Sequence, residues 1–298
     1  MKSEYPYREI APKVYMINEF NVADCYLLVG TERALLIDMG VGLGNLRAFV
    51  QRLTGGLPLD VVATHGHVDH IGGRGQFPRV SVQKEDVGII GRVTVPYRKA
   101  FFALQRQAAP YGVKAKDIRP GEYHSEPLPM HEGQVFRLGG KTVSVTHVPG
   151  HTRGSVCLLA EEDRLLFTGD NGNPVLFLFL PNCATLETWL RSAKRMLALA
   201  RETGAAMYSG HGFSELAEET VQAQIRHMEA ILTAAPRKNA HMPRYQVSRQ
   251  KENGLLAIYR GDLLWDERCS AGSQSYPHQT CTDHDQRSEE HTSELQSR

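Results

Sequence analysis

Short apolar runs, many of them β-branched, recur along the chain and alternate with segments of helical periodicity. Runs of this kind predict strands at residues 14–17, 26–29, 34–37, 59–63, 80–82, 135–138, 143–147, 156–159, 165–168 and 207–209. Apolar residues at helical spacing predict helices at 43–53, 97–109, 186–197 and 214–232. Residues 247–265 predict two closing strands, and Thr185 is placed to cap the helix that follows it.

The order of these elements indicates the fold class. Strands followed by a helix occur twice in succession, which favours an α/β protein with two sheets packed face to face and helices outside. Residues 85–119 carry a helical pattern between two strands of the first half, and we interpret them as a helical insertion beside the functional site. We predict one domain over residues 1–268.

The end of the chain differs in composition from the rest. Residues 269–298 are polar with few apolar positions, so we expect a disordered tail. The last dozen residues look like a translated sequencing adapter, and we expect them to be an assembly artefact. The histidines of this tail are therefore not considered as ligands.

The charge and hydropathy of the chain restrict the classes of partner and the cellular location that we expect. The net charge of +1 offers no basic excess for a nucleic-acid surface. No run approaches the about 20 apolar residues needed to span a bilayer, and the first residues carry no export signal. The 5 cysteines form no CxxC pair, which is typical of free thiols in a reducing compartment. We therefore expect a cytoplasmic protein that acts on a small molecule.

The strongest chemical signal is the segment His65-Gly-His67-Val-Asp69-His70. Three imidazoles and one carboxylate within six residues provide the ligand types that zinc, and also iron or manganese, prefers. The alternative is a solvated histidine-rich loop with no metal. Two glycines follow at 72–73. They would let the backbone pass close to the site and start a helix.

Three further candidates each follow a predicted strand and lie beside glycine. They are His151, Asp170 and His211. Alone, each would be an ordinary turn residue. Together with the histidine-rich segment, they predict one site assembled at the strand ends.

With Asp38 in Leu-Ile-Asp-Met-Gly, these motifs make the chain resemble the metallo-β-lactamase superfamily, in particular its glyoxalase II-like branch. The resemblance covers about residues 10–235 and implies an αββα four-layer sandwich. It also implies two divalent metal ions, with zinc preferred over iron or manganese. The implied ligands are His65, His67 and His151 for the first metal, Asp69, His70 and His211 for the second, and Asp170 for both. Asp38 would hold the metal-binding loop by hydrogen bonds.

The resemblance implies hydrolysis of a thioester, an ester or a lactone by a hydroxide that bridges the two metals. Asp69 would also orient the nucleophile or pass on its proton. The carboxylate at Asp170 disfavours a true β-lactamase. An apolar run at 175–180, predicted as a loop, favours an apolar acyl group.

Several alternatives stay open at this point. A persulfide dioxygenase with one iron shares part of this ligand set, and a non-catalytic sensor would bind metal without turnover. The run 175–180 could instead pack against the insertion or a partner subunit, which leaves a homodimer open. Aromatic residues over 97–111 either form a lid over the site or simply pack the insertion onto the domain.

Overall fold

The computed structural model describes residues 4–124, 126–180, 182–234, 245–249 and 256–264, and the predicted tail at 269–298 lies outside them. The first sheet contains seven strands in chain order: β1 (Tyr7–Ala11), β2 (Val14–Asn18), β3 (Asp24–Val29), β4 (Ala34–Ile37), β5 (Leu59–Val62), β6 (Ser81–Gln83) and β7 (Leu128–Met130). Strands β1 to β4 pair antiparallel and β4 to β7 pair parallel.

The second sheet contains six strands. They are β8 (Val135–Arg137), β9 (Thr142–His147), β10 (Val156–Ala160), β11 (Leu165–Gly169), β13 (Ala206–Ser209) and β14 (Glu215–Leu216). Their order is β14-β13-β11-β10-β9-β8, with β11 and β13 parallel. A small third sheet places β16 (Leu256–Arg260) between β12 (Val175–Leu178) and β15 (Tyr245–Arg249).

Six α-helices lie among the described residues. They are α1 (Leu46–Thr54), α2 (Val68–Ile71), α3 (Val87–Ile90), α4 (Val95–Ala103), α5 (Leu186–Thr203) and α6 (Glu218–Ala234). The side chain of Thr185 accepts a hydrogen bond from the amide of Thr188 and caps α5, as predicted. None of the described helices combines the length and apolarity that crossing a membrane requires.

Alternating side chains of the central strands explain the layers. In β3, Cys25 and Leu27 point into a core shared with α1 and α4, whereas Tyr26 and Leu28 point into a core shared with the second sheet. In β10, Leu158 faces the core between the sheets, and its neighbours on either side face α5 and α6. Both sheets are therefore buried on both faces. The predicted αββα four-layer sandwich is confirmed.

Residues 85–119 are helical, as predicted, but the segment is more broken than its apolar pattern suggested. Helix α4 ends at Ala103, and a 3₁₀ segment, Arg106–Tyr111, contains Pro110. Phe102 is buried in the core below the first sheet, and Phe101 and Tyr111 pack against that core. These three side chains anchor the insertion, whereas Tyr97 is 48% exposed.

Two other predicted elements were wrong in detail. The apolar run predicted as a loop at 175–180 contains the strand β12, which pairs parallel with β16 far along the chain. The helix predicted to begin at 214 begins at Glu218, because Glu215–Leu216 pairs with β13 as the edge strand β14. The two predicted closing strands are present as β15 and β16.

The core between the sheets allows a stability test. Leu158 is fully buried there, so we expect Leu158→Ala to lower the free energy of unfolding by about 2–5 kcal/mol through lost burial and a residual cavity. Leu104 is 76% exposed, and Leu104→Ala should change the free energy of unfolding by less than about 0.5 kcal/mol. Urea denaturation of both variants measures the difference, and equal effects would contradict the layer assignment.

Candidate metal centre

The seven predicted ligands lie in segments that follow β5, β9, β11 and β13. The segment after β5 carries four of them, His65 and His67 in the loop and Asp69 and His70 in α2, and the other segments carry one ligand each. Because β4 and β5 run parallel to each other, as do β11 and β13, the carboxyl ends of these strands lie at the same edge within each sheet. The structure brings all seven side chains together.

One cluster contains His65, His67 and His151. Their ring centroids lie 4.6 to 4.9 Å apart, and His67 Nδ1 lies 2.7 Å from His151 Nε2. One nitrogen of each ring lies within 4.8 Å of the others, which is a geometry able to hold one metal ion. This is the set implied for the first metal.

A second cluster contains Asp69, His70 and His211, whose ligand atoms also lie within 4.8 Å of one another. Asp69 Oδ2 is 3.6 Å from His211 Nε2, and Asp69 Oδ1 is 3.8 Å from His70 Nε2. This is the set implied for the second metal.

Asp170 lies between the two clusters. One carboxylate oxygen is 3.3 Å from His70 Nε2, and the other is 3.3 Å from His211 Nε2 and 3.5 Å from His151 Nε2. Asp170 also forms a group of possible ligands with His65 and His70. Its carboxylate is therefore placed to contact ions in both clusters.

The buried atoms of this centre fit a cation. Among the described residues, His65 Nε2, His70 Nε2 and Asp170 Oδ1 are buried without a hydrogen-bond partner. An unsatisfied buried polar atom costs about 1–3 kcal/mol, and three in one place are unusual in a native protein. Divalent metal ions would satisfy all three. The donor set, nitrogen and carboxylate oxygen without sulfur, suits zinc, iron or manganese.

Charge favours metal binding in the first cluster. Burial and the neighbouring imidazoles hold the pKa of His65 well below its usual value, and burial lowers the pKa of His151. Both rings are thus neutral near pH 7, as metal ligands must be.

In the second cluster, burial would lower the pKa values of His70 and His211, but Asp170 and Asp69 outweigh it and raise them, to about 9 for His211. A metal ion there would therefore have to displace protons. Burial alone would raise the pKa of Asp170, but His211 and His70 outweigh it and hold the pKa well below the usual value.

The centre is open on one side. Four of the seven ligands are buried, whereas the side chains of His211 and Asp69 remain 32% and 15% exposed. His67, in the first cluster, is also partly exposed. Each cluster therefore has a face that a small molecule can reach, which is typical of catalytic rather than structural metal sites.

Asp38, which was predicted to hold the histidine-rich loop, forms three hydrogen bonds with residues of that segment. Its carboxylate accepts hydrogen bonds from the amide and hydroxyl of Thr64, at 2.7 and 2.8 Å, and from His70 Nδ1 at 2.9 Å. The last of these leaves Nε2 of His70 facing Asp170. Asp38 has φ of +62°, an unusual backbone conformation that functional sites often retain.

The strand β12 has a role in the site that the sequence did not suggest. His151 Nδ1 donates to the main-chain carbonyl of Phe177 at 2.8 Å, which turns Nε2 toward His67. The amide of His151 donates to Asn171 Oδ1 at 2.9 Å. Every residue has a main-chain carbonyl, so the residue type at 177 does not indicate this contact. The sequence alone could therefore not reveal it.

Three buried acids near the centre were also missed. Glu19 accepts hydrogen bonds from three consecutive amides, 41–43, and burial raises its pKa to about 8. Asp24 accepts a hydrogen bond from the amide of Phe213, two residues after His211, at 2.7 Å. Asp86 accepts hydrogen bonds from two ligand loops. Each is a single acid without a motif, and its burial depends on tertiary contacts.

A family model of known proteins matches most of the chain. The family model described as the metallo-beta-lactamase superfamily matches residues 19–211. The chain belongs to the metallo-β-lactamase superfamily. The matched region contains Asp38 and all seven converging side chains.

Two curated relatives within this superfamily bear the names of thioesterases. The acyl-coenzyme A thioesterase MBLAC2 of Gallus gallus is 33% identical over an alignment of 172 residues, and the match covers 50% of this chain and 57% of that protein. The atrochrysone carboxyl ACP thioesterase nsrC of Aspergillus novofumigatus is 29% identical over an alignment of 252 residues, and the match covers 80% of this chain and 65% of that protein. The match thus spans less than two thirds of either relative.

A solved structure shows the same fold. The metallo-beta-lactamase family protein TTHA1429 of Thermus thermophilus superposes with a TM-score of 0.51 at 24% identity, covering 76% of this chain and 82% of that one. At this identity the likeness concerns the fold alone.

A glycine substitution tests how tightly the centre is packed. A Cβ at Gly210 would lie 2.4 Å from Asp170 Oδ1 and 2.6 Å from His70 Cε1. We expect Gly210→Ala to displace these groups and weaken zinc binding at least about tenfold. Gly91→Ala, where the added Cβ meets nothing within 4 Å, is the control and should bind zinc like the parent. Competition with a chromophoric chelator measures both, and unchanged binding by Gly210→Ala would contradict the placement of Asp170.

Proposed function

We propose that this chain is a two-metal hydrolase of thioesters. The observation that carries the proposal is the complete set of seven ligand side chains, arranged as two clusters with Asp170 between them. The thioesterase names of relatives in the same superfamily support the bond type. Esters and lactones are related substrates that the same chemistry would hydrolyse.

The chemistry divides between the metals and the chain. When bound, two divalent ions supply a hydroxide near neutral pH and polarise the carbonyl under attack. The histidines would hold the ions, and Asp170, which lies between the two clusters, would supply a carboxylate oxygen to each. Asp69 is partly exposed beside His211, so it can orient the nucleophile or carry its proton to the departing thiolate.

An apolar face lies beside the centre, and it supports a substrate whose acyl group carries an apolar chain. Val175, Phe177 and Phe179 alternate along and just beyond β12 and are at least partly exposed, whereas Leu176 and Leu178 are buried in the core. The rings of Phe177 and Phe179 pack edge to face at 5.8 Å. The carbonyl of Phe177 holds His151, so this face begins next to the metal cluster.

We take zinc as the working metal, with iron and manganese as alternatives that the same ligands accept. The cytoplasmic location and the small-molecule substrate stay predictions from the sequence. The glyoxalase II-like specificity also stays a prediction, and S-lactoylglutathione serves below as its test substrate.

Thiol release tests the proposed reaction. The zinc-loaded full chain should release thiol from decanoyl-CoA or S-lactoylglutathione, and both His67→Ala and Asp170→Ala should abolish release because each removes a metal contact. His131 is exposed and outside the centre, so His131→Ala should retain full activity. A thiol-reactive dye follows the reaction continuously.

Three outcomes would contradict the proposal. Full activity in Asp170→Ala would show that the carboxylate between the clusters is not needed. One tightly bound iron per chain with oxygen consumption would favour the persulfide dioxygenase. Tight binding of two metals without turnover of thioesters, esters or lactones would favour the sensor.

Acyl-chain preference tests the apolar face. Removing a ring that contacts the acyl chain costs about 1.5–3 kcal/mol, so Phe177→Ala should lower kcat/KM for decanoyl-CoA at least about tenfold. The value for acetyl-CoA should change less than about twofold, because a short acyl group does not reach along the face. Val135, 41% exposed on β8, provides Val135→Ala as the control. An equal loss for both substrates would place the acyl group elsewhere.

A further inference from the structure

Asp86 is a fully buried carboxylate that belongs to none of the possible ligand clusters among the described residues. Its Oδ2 accepts hydrogen bonds from the amide of Gly66 at 2.8 Å and the hydroxyl of Thr152 at 2.7 Å. Its Oδ1 accepts from the amide of Gly154 at 3.0 Å and from Asn182 Nδ2 at 2.7 Å. Four donors thus converge on one side chain, which lies just before α3 in the helical insertion.

These donors connect two loops of the same metal cluster. Gly66 lies between His65 and His67, and Thr152 directly follows His151. Asp86 therefore joins the two chain segments that carry all three ligands of the first cluster. The segment around Gly66 continues to Asp69 and His70 of the second cluster, but the ring of His70 is held by Asp38.

Steric contacts show how closely Asp86 fills the space between these loops. A Cβ at Gly154 would lie 2.5 Å from Asp86 Cγ, and a Cβ at Gly66 would lie 3.1 Å from Asp86 Cβ. Both loops approach the acid at positions where only glycine fits without displacement. A displacement of either loop relative to the other would break these contacts.

The second cluster has a different acid of its own. Asp38 accepts hydrogen bonds from His70 Nδ1 and from Thr64, which precedes His65, so it holds segments of both clusters. Asp24 accepts from the amide of Phe213, and its own amide donates to the carbonyl of Gly210 at 2.8 Å, so it holds the loop on both sides of His211. Neither acid contacts the loop that carries His151 among the contacts described.

We propose that Asp86 is a positioning residue for the first metal alone, and that Asp24 is its counterpart for the second. The proposal rests on the two-metal centre proposed above. In Asp86→Asn, the NH2 group of the new side chain would face hydrogen-bond donors from which the Asp86 carboxylate now accepts. At least one loop would therefore lose its hydrogen bonds to this side chain. Loss of such an outer hydrogen-bond partner typically weakens metal binding about 10- to 100-fold.

Single-site variants of the full chain separate the two metals. His211→Ala retains the complete first cluster, and His151→Ala retains the complete second cluster. We expect Asp86→Asn to weaken zinc binding about 10- to 100-fold in the His211→Ala background and less than about twofold in the His151→Ala background. Asp24→Asn should show the reverse. Zinc affinity is measured by competition with a chromophoric chelator, without reference to catalytic activity.

Each outcome has a defined meaning. Equal weakening in both backgrounds, or none in either, would overturn the assignment of Asp86 to one metal. Failure of both single-site variants to bind zinc would instead contradict the two-metal centre itself.

Thr152→Val provides a second test in case Asp86→Asn does not fold. It removes only the hydroxyl that donates to Asp86 from the residue after His151. It should weaken the first site in the same direction, by a smaller factor. The melting temperatures of the metal-free variants, taken in excess chelator, show whether they are folded. A first-site loss in Asp86→Asn with no change in folded Thr152→Val would contradict a link through this hydroxyl.

Discussion

The structure depends on holding imidazole nitrogens and carboxylate oxygens together in a space where several of them have no protein partner. Leaving buried polar atoms unsatisfied is unfavourable, and the loops that carry them would separate if nothing tied them down. Buried acids provide that tie. Asp38, Asp24 and Asp86 each accept hydrogen bonds from main-chain amides or a ligand ring, so protein contacts hold the ligand loops close together.

The four-layer fold makes this arrangement possible. Each of the two sheets, which helices cover, brings the carboxyl ends of its parallel strands to one edge. The packed cores on both faces of each sheet leave the strand ends rigid, and glycines let the loops turn sharply into the centre. The small third sheet adds the carbonyl that orients His151. Tight packing at Gly210 shows that the centre has little room for adjustment.

Much of this could be predicted from the sequence because the signals are local. The histidine-rich segment and the three glycine-flanked residues after strands identified all seven converging side chains. The layers followed from the order of strands and helices. The strand β12 was predicted as a loop because its partner β16 lies far along the chain. Asp86 was missed because a single acid in a helical insertion looks like a surface residue until the fold buries it.

We propose that two metal ions bind on either side of Asp170. Anomalous diffraction at the zinc edge from crystals of the zinc-loaded chain tests this placement. We expect two peaks about 3.5–4 Å apart, one beside His65, His67 and His151 and the other beside Asp69, His70 and His211, with Asp170 contacting both. A single peak, or two peaks that Asp170 does not join, would contradict it.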